Sequence, residues 1–295
     1  DRVAAGENYY AAAVAEQRAN DYPTQPFVTV RLPTLAYIDA LLGENWGRIA
    51  AMLLLVAVIL AWLRALKPVV LRTEVLGTGI LLYMAGMGLF DPRALQFHEL
   101  VAGALLGLAL AIYRPDRWWP SLVAAALALA IRELALPFLL LWGAFAASER
   151  RWRQVLAIGI VIGLFVLAMV FHAQAVAQHV LPTDPASPPW AGFNGPQLAL
   201  LSLARLTPLL MLPEAVAAPI ALLALLGWVG LGGRLGLFAA LWFAGMGLAM
   251  ALFARTNNFY WVLLVLPAYA AGLAFVPRAL AELVRGAIGR QKSQS

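Results

Sequence analysis

Residues 121–147 form an apolar stretch whose only ionisable residues are Arg132 and Glu133. Basic residues flank the stretch on both sides, at 114 and 117 and again at 150, 151 and 153. Because such residues concentrate on the cytoplasmic side of a membrane, both ends of the stretch are predicted to lie there. A single span cannot return to its starting side, so we expect two segments of about 13 residues that turn at Arg132 and Glu133. Each segment would measure roughly 20 Å against a hydrocarbon core of roughly 30 Å. The charged turn is therefore predicted to lie in a protein-lined, water-filled cavity rather than in lipid.

The composition is that of a polytopic helical membrane protein. Hydrophobic residues make up 63% of the 295 residues, charged residues make up 12%, and the mean hydropathy is +0.80. These values exclude an ordinary soluble domain and predict an all-α membrane bundle. The net charge of +6 is explained by basic residues at membrane ends, so no nucleic-acid partner is predicted. The absence of cysteine excludes disulfides and thiolate metal sites.

The apolar runs predict one membrane domain with about nine membrane segments. Residues 1–47 are predicted to form an outer loop with amphipathic surface helices, and residues 48–295 to form the transmembrane bundle. Within the bundle we expect a second outer loop at 172–212 and a cytoplasmic tail at 277–295. No signal peptide is visible at the start. A chain that opens on Asp1 without methionine is expected of a truncated or processed protein, with a membrane helix ahead of it.

The distribution of charge sets the predicted orientation. Of the 21 Lys and Arg residues, 13 fall in the proposed cytoplasmic loops and tail, whereas 11 of the 15 Asp and Glu residues fall on the opposite side. This asymmetry predicts an outer N-terminus and a cytoplasmic C-terminus. The eight arginines that remain outside invite two interpretations. One is an anion site, since guanidinium forks bind phosphate oxygens in a bidentate way. The other is pairing with nearby carboxylates or lipid headgroups, which we favour for Arg18 and Arg48, whereas Arg132 and Arg255 fit both interpretations equally.

Three acidic residues on the outer side are candidates for chemistry. Glu7 begins the first surface helix, where its charge would also complement the helix dipole. Asp91 opens the next outer loop, where it would also serve as a helix N-cap. Glu99, beside His98, lies one turn into a membrane helix, where a charge is costly unless it faces a cavity, and this favours a functional role. The histidine spacing matches no ligand pattern, so no metal site is predicted.

Several short motifs together resemble a known family. They are Glu7-Asn-Tyr-Tyr10 with a helix to Tyr22-Pro23, then Arg31-Leu-Pro-Thr-Leu35, Phe90-Asp-Pro-Arg93 and Asn257-Asn-Phe-Tyr260. With the short hairpin, this pattern resembles the GT-C superfamily of integral-membrane glycosyltransferases, especially the branch with lipid A aminoarabinose transferase and protein mannosyltransferase-like enzymes. Two features depart from the family pattern: its Asp-Glu pair is Gly6-Glu7 here, and Arg31 is displaced by about one position.

The resemblance implies a transferase that moves a sugar from a polyprenyl-phosphate donor to a hydroxyl of a glycan, lipid or protein acceptor. The reaction would take place at the periplasmic face of a bacterial inner membrane, with membrane lipid as a further partner and without a cofactor, a divalent metal being optional. Glu7 would be the general base, with Asp1 as its rival. Asp91 and Glu99 would position the acceptor or the base. Arginines would hold the departing phosphate. The implied substrate-binding residues are Tyr9, Tyr10, Arg31, Arg93, His98, Glu99, Arg132, Glu133, Arg255, Asn258 and Tyr260.

Two alternatives belong to other classes. A transporter or flippase of lipid-linked sugars would use the same charged cavity for passage, and inverted repeats, which are not evident in the sequence, would favour it. A long outer loop ahead of the first span favours the enzyme instead. The third interpretation is a non-catalytic partner subunit of a glycosyltransferase, which only substitution of the acidic residues would distinguish from an enzyme.

Overall fold

The computed structural model describes residues 2–190, 193 and 195–292, and it is all-helical. Helices account for 78% of the described residues. The described residues contain no strand, only an isolated bridge between Gln25 and Ala186. Two 3-10 segments, Thr256–Leu264 and Ala268–Phe275, precede the last helix. The α-helices are α1 Tyr9–Ala19, α2 Thr34–Leu66, α3 Arg72–Gly86, α4 His98–Ile112, α5 Trp119–Ile131, α6 Leu136–Ser148, α7 Trp152–Ala177, α8 Gln197–Arg205, α9 Glu214–Leu231, α10 Gly233–Phe253 and α11 Val276–Lys292.

The chain is a multi-pass membrane protein by the length and composition of its helices. Within the described ranges, five helices are long and apolar enough to cross a membrane, and a pair of helices bent by 73° would make a sixth. The predicted count of nine segments is not confirmed. The difference lies in three shorter apolar helices, because about 15 residues of helix measure only about 22 Å. The five are Phe27–Leu66, Arg72–Phe90, Trp152–Ala177, Glu214–Leu231 and Gly233–Phe253, and the shorter three are His98–Ile112, Trp119–Ile131 and Glu133–Ser148.

The first long helix contains a bend at Gly43. There the backbone has a φ of 72°, which only glycine adopts without strain, so the surface-helix sequence at 34–42 meets the apolar span at this point. The helix then continues without a break across the predicted boundary at residues 47 and 48. The outer segment and the first span are therefore one structural element with a bend.

The contacts define two ends of the bundle. At one end, which we call the basic end, the Arg234 Nε lies 2.5 Å from Glu149, and Arg151 donates a 2.7 Å hydrogen bond to the Tyr113 hydroxyl. At the other end lies a cap made of residues 2–33 and 178–190, joined by an ion pair between Arg18 and Asp184.

The short helices α4, α5 and α6 connect these ends in alternating directions. The first residues of α4 meet the end of α5, where Glu99 contacts Arg132. The far end of α4 meets α6, where the Tyr113 and Trp142 rings lie 5.4 Å apart. Helix α5 therefore runs toward the cap and α6 runs back, with the turn at 132–135. This arrangement agrees with the hairpin that the basic flanks predict.

Close helix contacts depend on glycine. A Cβ added to Gly227 of α9 would lie 1.8 Å from the carbonyl oxygen of Gly272, and one added to Gly103 of α4 would lie 2.2 Å from that of Leu263. The backbones can approach this closely only because neither position carries a side chain. Around the first contact, Trp228 donates a hydrogen bond of 3.1 Å to the Tyr269 carbonyl oxygen. The 3-10 segments are thereby packed tightly into the bundle.

The outer surface of α7 fits a lipid environment. Its large apolar side chains are mostly exposed, and few of its residues are buried against other helices. In water an apolar surface of this size would be unfavourable, whereas lipid tails cover it at no cost. The exposed set on this helix is Leu156, Ile160, Leu164, Val166, Leu167, Val170 and Phe171.

Candidate functional site

Two buried ions of opposite charge meet where α4 begins and α5 ends. Glu99 lies in the first turn of α4 with 1% of its surface exposed, and Arg132, which follows α5, is 3% exposed. The Arg132 Nε is 2.6 Å from Glu99 Oε1. Arg132 also pairs with the neighbouring Glu133, whose side chain is 23% exposed. Because an unpaired charge in this environment would cost several kcal/mol, the three side chains hold one another in place.

A second arginine reaches this pair from the cap. The Arg31 Nη2 is 3.6 Å from Glu99 Oε1, and it donates a 3.0 Å hydrogen bond to the Tyr260 hydroxyl. The Tyr260 hydroxyl also accepts a 3.3 Å hydrogen bond from the Asn258 side-chain amide. The Arg31 guanidinium lies 5.7 Å from the centre of the Tyr260 ring, within the range of a cation–π interaction. We call these six residues the charged cluster: Arg31, Glu99, Arg132, Glu133, Asn258 and Tyr260.

Four separate parts of the chain supply the charged cluster. They are the segment before α2, the start of α4, the turn between α5 and α6, and the 3-10 segment Thr256–Leu264. Two arginines face two glutamates, so the formal charges of the cluster cancel. Guanidinium forks could bind the oxygens of a phosphate, and a carboxylate could accept a proton from a hydroxyl. The cluster therefore contains the groups that phosphate binding and acid–base chemistry require. Glu99 and Arg132 are buried among neighbouring side chains and do not face the water-filled cavity that the sequence predicted.

His98 borders the charged cluster through its neighbour Glu99. Its Nδ1 lies 3.3 Å from the Gln96 carbonyl oxygen. The other ring nitrogen, Nε2, is buried and has no hydrogen-bond partner among the described residues. The described residues also contain no group of three or more His, Asp or Glu side chains that could hold a metal ion.

Helix α1 fixes the cap above the charged cluster. Its N-cap Asn8 accepts hydrogen bonds from the Tyr10 and Ala11 backbone amides, so the helix begins where the sequence changes from Glu-Asn to Tyr-Tyr. The Tyr9 hydroxyl donates a 2.7 Å hydrogen bond to the carbonyl oxygen of Arg31. This bond ties α1 to the residue whose side chain enters the cluster.

Tyr10 contacts the end of α7 through His172, one of the three histidines whose spacing matches no metal-ligand pattern. The His172 Nδ1 is 3.2 Å from the Tyr10 hydroxyl, and its Nε2 is 3.1 Å from the Val30 carbonyl oxygen. A histidine near the end of an apolar span is a signal of a polar contact, but the sequence does not show its partner. The contact anchors the cap on α7, which is the least buried of the five long apolar helices.

The two outer segments of the cap are locked by Arg18 and Asp184. Arg18 donates to both carboxylate oxygens of Asp184, at 2.5 and 2.8 Å, and the Thr24 hydroxyl donates to the same carboxylate at 3.2 Å. These hydrogen bonds, that of Arg18 first, hold the pKa of Asp184 well below its usual range. Pairing with a carboxylate was the interpretation favoured for Arg18, although its partner lies 166 residues away.

Arg255 lies beside the cap rather than within the charged cluster. Its Nη2 donates a 3.0 Å hydrogen bond to the Ser187 hydroxyl, and its guanidinium lies 5.8 Å from the centre of the Trp190 ring. Its backbone amide donates to the Asn258 side-chain oxygen at 3.0 Å. Arg255 is thus joined to the cluster through Asn258.

The predicted catalytic acids have local partners. The Glu7 side chain is 37% exposed and pairs with Arg2 at 2.5 Å, and this hydrogen bond lowers the pKa of Glu7. Asp91 is exposed and accepts a 2.9 Å hydrogen bond from the Arg93 backbone amide, which is a local turn contact. The described contacts do not join either acid, or the exposed Arg93, to the charged cluster. Asp1, the rival base, lies outside the described residues.

Comparison of the chain with models of protein families, with curated proteins and with solved structures gives no match.

Proposed function

We propose that this protein is an integral-membrane glycosyltransferase of the GT-C type. It would move a sugar from a polyprenyl-phosphate donor to an acceptor hydroxyl, with inversion at the anomeric carbon. The observation that carries the proposal is the charged cluster, in which Arg31 and Arg132 converge with Glu99 from three separate segments beneath the cap. Buried ionisable groups at a membrane-embedded position are retained mainly where they handle a charged substrate or a proton.

The proposed reaction has one proton transfer and one displacement. The carboxylate of Glu7 accepts the proton of the acceptor hydroxyl, and the hydroxyl oxygen attacks the anomeric carbon from the face opposite the phosphate. The bond between that carbon and the phosphate oxygen breaks, and its electron pair leaves on the lipid phosphate. Arg31 and Arg132 would stabilise the added negative charge, with Arg255 as a further donor from the side.

The pair with Arg2 lowers the pKa of Glu7. It keeps the carboxylate ionised but weakens it as a base, so the acceptor hydroxyl would have to displace Arg2 before its proton is transferred. Its exposure leaves room for an acceptor to approach from the side of the cap, and we expect Asp91 to position that acceptor. Tyr9 and Tyr10, the first two residues of α1, would line the path from the acceptor side to Arg31.

The proposed location is the periplasmic face of a bacterial inner membrane. The support is electrostatic, because the end opposite the charged cluster carries the basic loops at 64–72, 114–117 and 150–153. Such loops remain preferentially in the cytoplasm, so the cap and the cluster would face outward. A polyprenyl-phosphate sugar presented in the outer leaflet would then meet Arg31 and Arg132 with its phosphate.

The test is sugar transfer by purified protein in lipid nanodiscs. Radiolabelled polyprenyl-phosphate sugars and membrane extract would be supplied to the wild type, Glu7→Gln and Glu16→Gln. Glu16 is the matched control because it lies in α1 and also accepts a hydrogen bond from Arg2, at 2.8 Å. We expect Glu7→Gln to reduce transfer by about 10² to 10⁴-fold while donor binding is kept, and Glu16→Gln to transfer normally.

Asp91→Asn makes a second arm of this test. Asparagine keeps the side-chain oxygen that accepts from the Arg93 amide, so a loss of transfer would report the carboxylate charge rather than the turn. Donor binding without transfer, unchanged in every variant, would favour a transporter or a non-catalytic subunit. Transfer at the wild-type rate in both Glu7→Gln and Asp91→Asn would refute the assignment of these acids.

A further inference from the structure

A large space opens at the basic end of the bundle. It is a cavity of about 900 Å³ between the ends of α2 and α4, the start of α5, the middle of α6 and the start of α10. Its wall is apolar and includes Ala61, Leu108, Phe138 and Phe238. Its rim carries four arginines: Arg64, Arg114, Arg117 and Arg234.

The rim has a surplus of positive charge. Arg234 pairs with Glu149, but Glu149 also pairs with Arg151, so these three side chains leave one positive charge over. Arg64 and Arg114 are exposed and make no ion pair with a carboxylate in the part of the chain that the structure describes. The guanidinium of Arg117 lies 5.8 Å from the centre of the Trp119 ring.

Two carboxylates face this charge. Glu149 is already shared by two arginines, and Asp116 is an exposed residue of the loop between α4 and α5. The four rim arginines and Arg151 therefore outnumber these two acids. The contrast with the charged cluster is direct, since there the two signs cancel.

We propose that this cavity binds an anionic phospholipid, with its phosphate among the rim arginines and its acyl chain against the apolar wall. A soluble anion would use the arginines but would leave the apolar wall without a partner. A zwitterionic lipid would bring its own cation to a rim that already has a surplus of positive charge. An anionic lipid satisfies both parts of the cavity, because Arg forks bind its phosphate oxygens and apolar chains fill the space below.

The lipid site is separate from the charged cluster. Helix α4 connects the two, and its intervening residues Ala102, Ala104 and Leu106 are buried and apolar. An apolar layer therefore lies between the lipid site and the buried ions, and the lipid would act on the bundle rather than on the reacting groups. The inference does not depend on the proposed transfer reaction.

Native mass spectrometry of the purified chain tests the proposal. The protein would be titrated with dioleoyl phosphatidic acid, dioleoyl phosphatidylcholine, glycerol phosphate or inorganic phosphate. We expect the anionic lipid to remain bound at concentrations where the zwitterionic lipid is lost, and the two soluble phosphates to compete weakly. Competition by glycerol phosphate or inorganic phosphate at equal concentration would overturn the lipid assignment in favour of a soluble anion.

Two variants and a matched control localise the binding. The first variant, the rim variant, replaces Arg64, Arg114 and Arg117 by Gln. The control variant replaces Lys67, Arg72 and Arg153 by Gln. The control residues are exposed at the same end and do not line the cavity. We expect the rim variant to bind the lipid at least about tenfold more weakly than the wild type, and the control to change little.

The second variant, Ala65→Trp, narrows the cavity and keeps every charge. It should weaken lipid retention, whereas a lipid held only by surface charge would stay bound. Equal binding by the rim variant and the control variant, or full binding by Ala65→Trp, would overturn the proposal. The fold of each variant is checked by its elution volume and helical circular dichroism.

Discussion

The ion pair between Glu99 and Arg132 predicts a large and strongly coupled effect on stability. In Arg132→Met the buried Glu99 loses its 2.6 Å partner, and only Arg31, at 3.6 Å, remains near it. Removing one member of a buried pair costs about 3–5 kcal/mol, because the remaining charge is no longer compensated. Glu99→Gln should cost a similar amount, since it leaves Arg132 with Glu133 alone. The double variant restores the charge balance, so it should be more stable than the sum of the single costs predicts.

A double-mutant cycle measures this coupling. Unfolding in mixed micelles by a denaturing detergent, followed by helical circular dichroism, gives the free energy of unfolding for the wild type, both single variants and the double variant. We expect a coupling energy of about 1–3 kcal/mol. The matched control is the pair of Arg205 and Glu214, which is similar in length at 2.7 Å but is 63% and 60% exposed. Its coupling should stay between about 0 and 1 kcal/mol. Additive costs at Glu99 and Arg132 would refute the conclusion that these charges depend on each other.

Three further predictions concern the bundle, the cap and the proposed base. Gly227→Ala should destabilise the bundle by about 1–3 kcal/mol, because the added Cβ would collide with the Gly272 carbonyl oxygen. Gly245→Ala should not destabilise it, because the space around Gly245 is open. Unfolding in a denaturing detergent compares the two variants. The docking of 178–190 should persist above the ordinary Asp pKa of about 3.9 and fail only as pH falls through the lowered pKa of Asp184. Asp184→Asn should expose this segment at every pH. Cleavage by pepsin at acidic pH and by a neutral protease near pH 7 reports both. Arg2→Gln should move the acidic limb of the pH–rate profile of sugar transfer to higher pH, because the pKa of Glu7 rises when its partner is removed. An acidic limb at the same pH as in the wild type would exclude Glu7 as the titrating base.

Buried charges were easier to single out from the sequence than exposed polar contacts. Arg132 and Glu99 were candidates because charges within apolar segments are costly, and this cost requires a partner or a cavity nearby. The structure brings both together with Arg31, Asn258 and Tyr260. The apolar composition of the chain likewise predicted the all-helical bundle. The number of spans cannot be counted from hydropathy alone, because short apolar helices such as α4 do not reach across a membrane.

Exposed polar residues gave much weaker predictions. Arg18 pairs with Asp184 and Tyr10 meets His172 across more than 160 residues of sequence, and no local pattern shows either contact. A polar side chain in a loop has many possible partners at similar cost, so only the folded arrangement selects one. For the same reason the sequence did not show that Glu7 is held by Arg2, or that the described contact of Asp91 is a local turn.

The neutrality of the charged cluster leads to a final prediction about donor binding. A lipid phosphate adds negative charge to a site where Arg31 and Arg132 already balance Glu99 and Glu133. One carboxylate must therefore move out of the site or become protonated. Glu133 is the candidate, because it is 23% exposed while Glu99 is held at 1%. Glu133→Gln would remove a charge beside the phosphate, an interaction of about 4 kcal/mol at 4 Å in a protein-like dielectric before screening.

After allowance for exposure and salt, we expect about tenfold tighter binding, which corresponds to about 1.4 kcal/mol. The measurement is equilibrium binding of a radiolabelled short-chain polyprenyl phosphate in nanodiscs. The control is Glu214→Gln, an exposed carboxylate that pairs with Arg205. Unchanged or weaker binding in Glu133→Gln, with the stability of the protein preserved, would mean that the phosphate does not enter between these arginines. The charged cluster would then serve to hold the cap on the bundle, and the donor site would have to be sought around Arg255 and Trp190 instead.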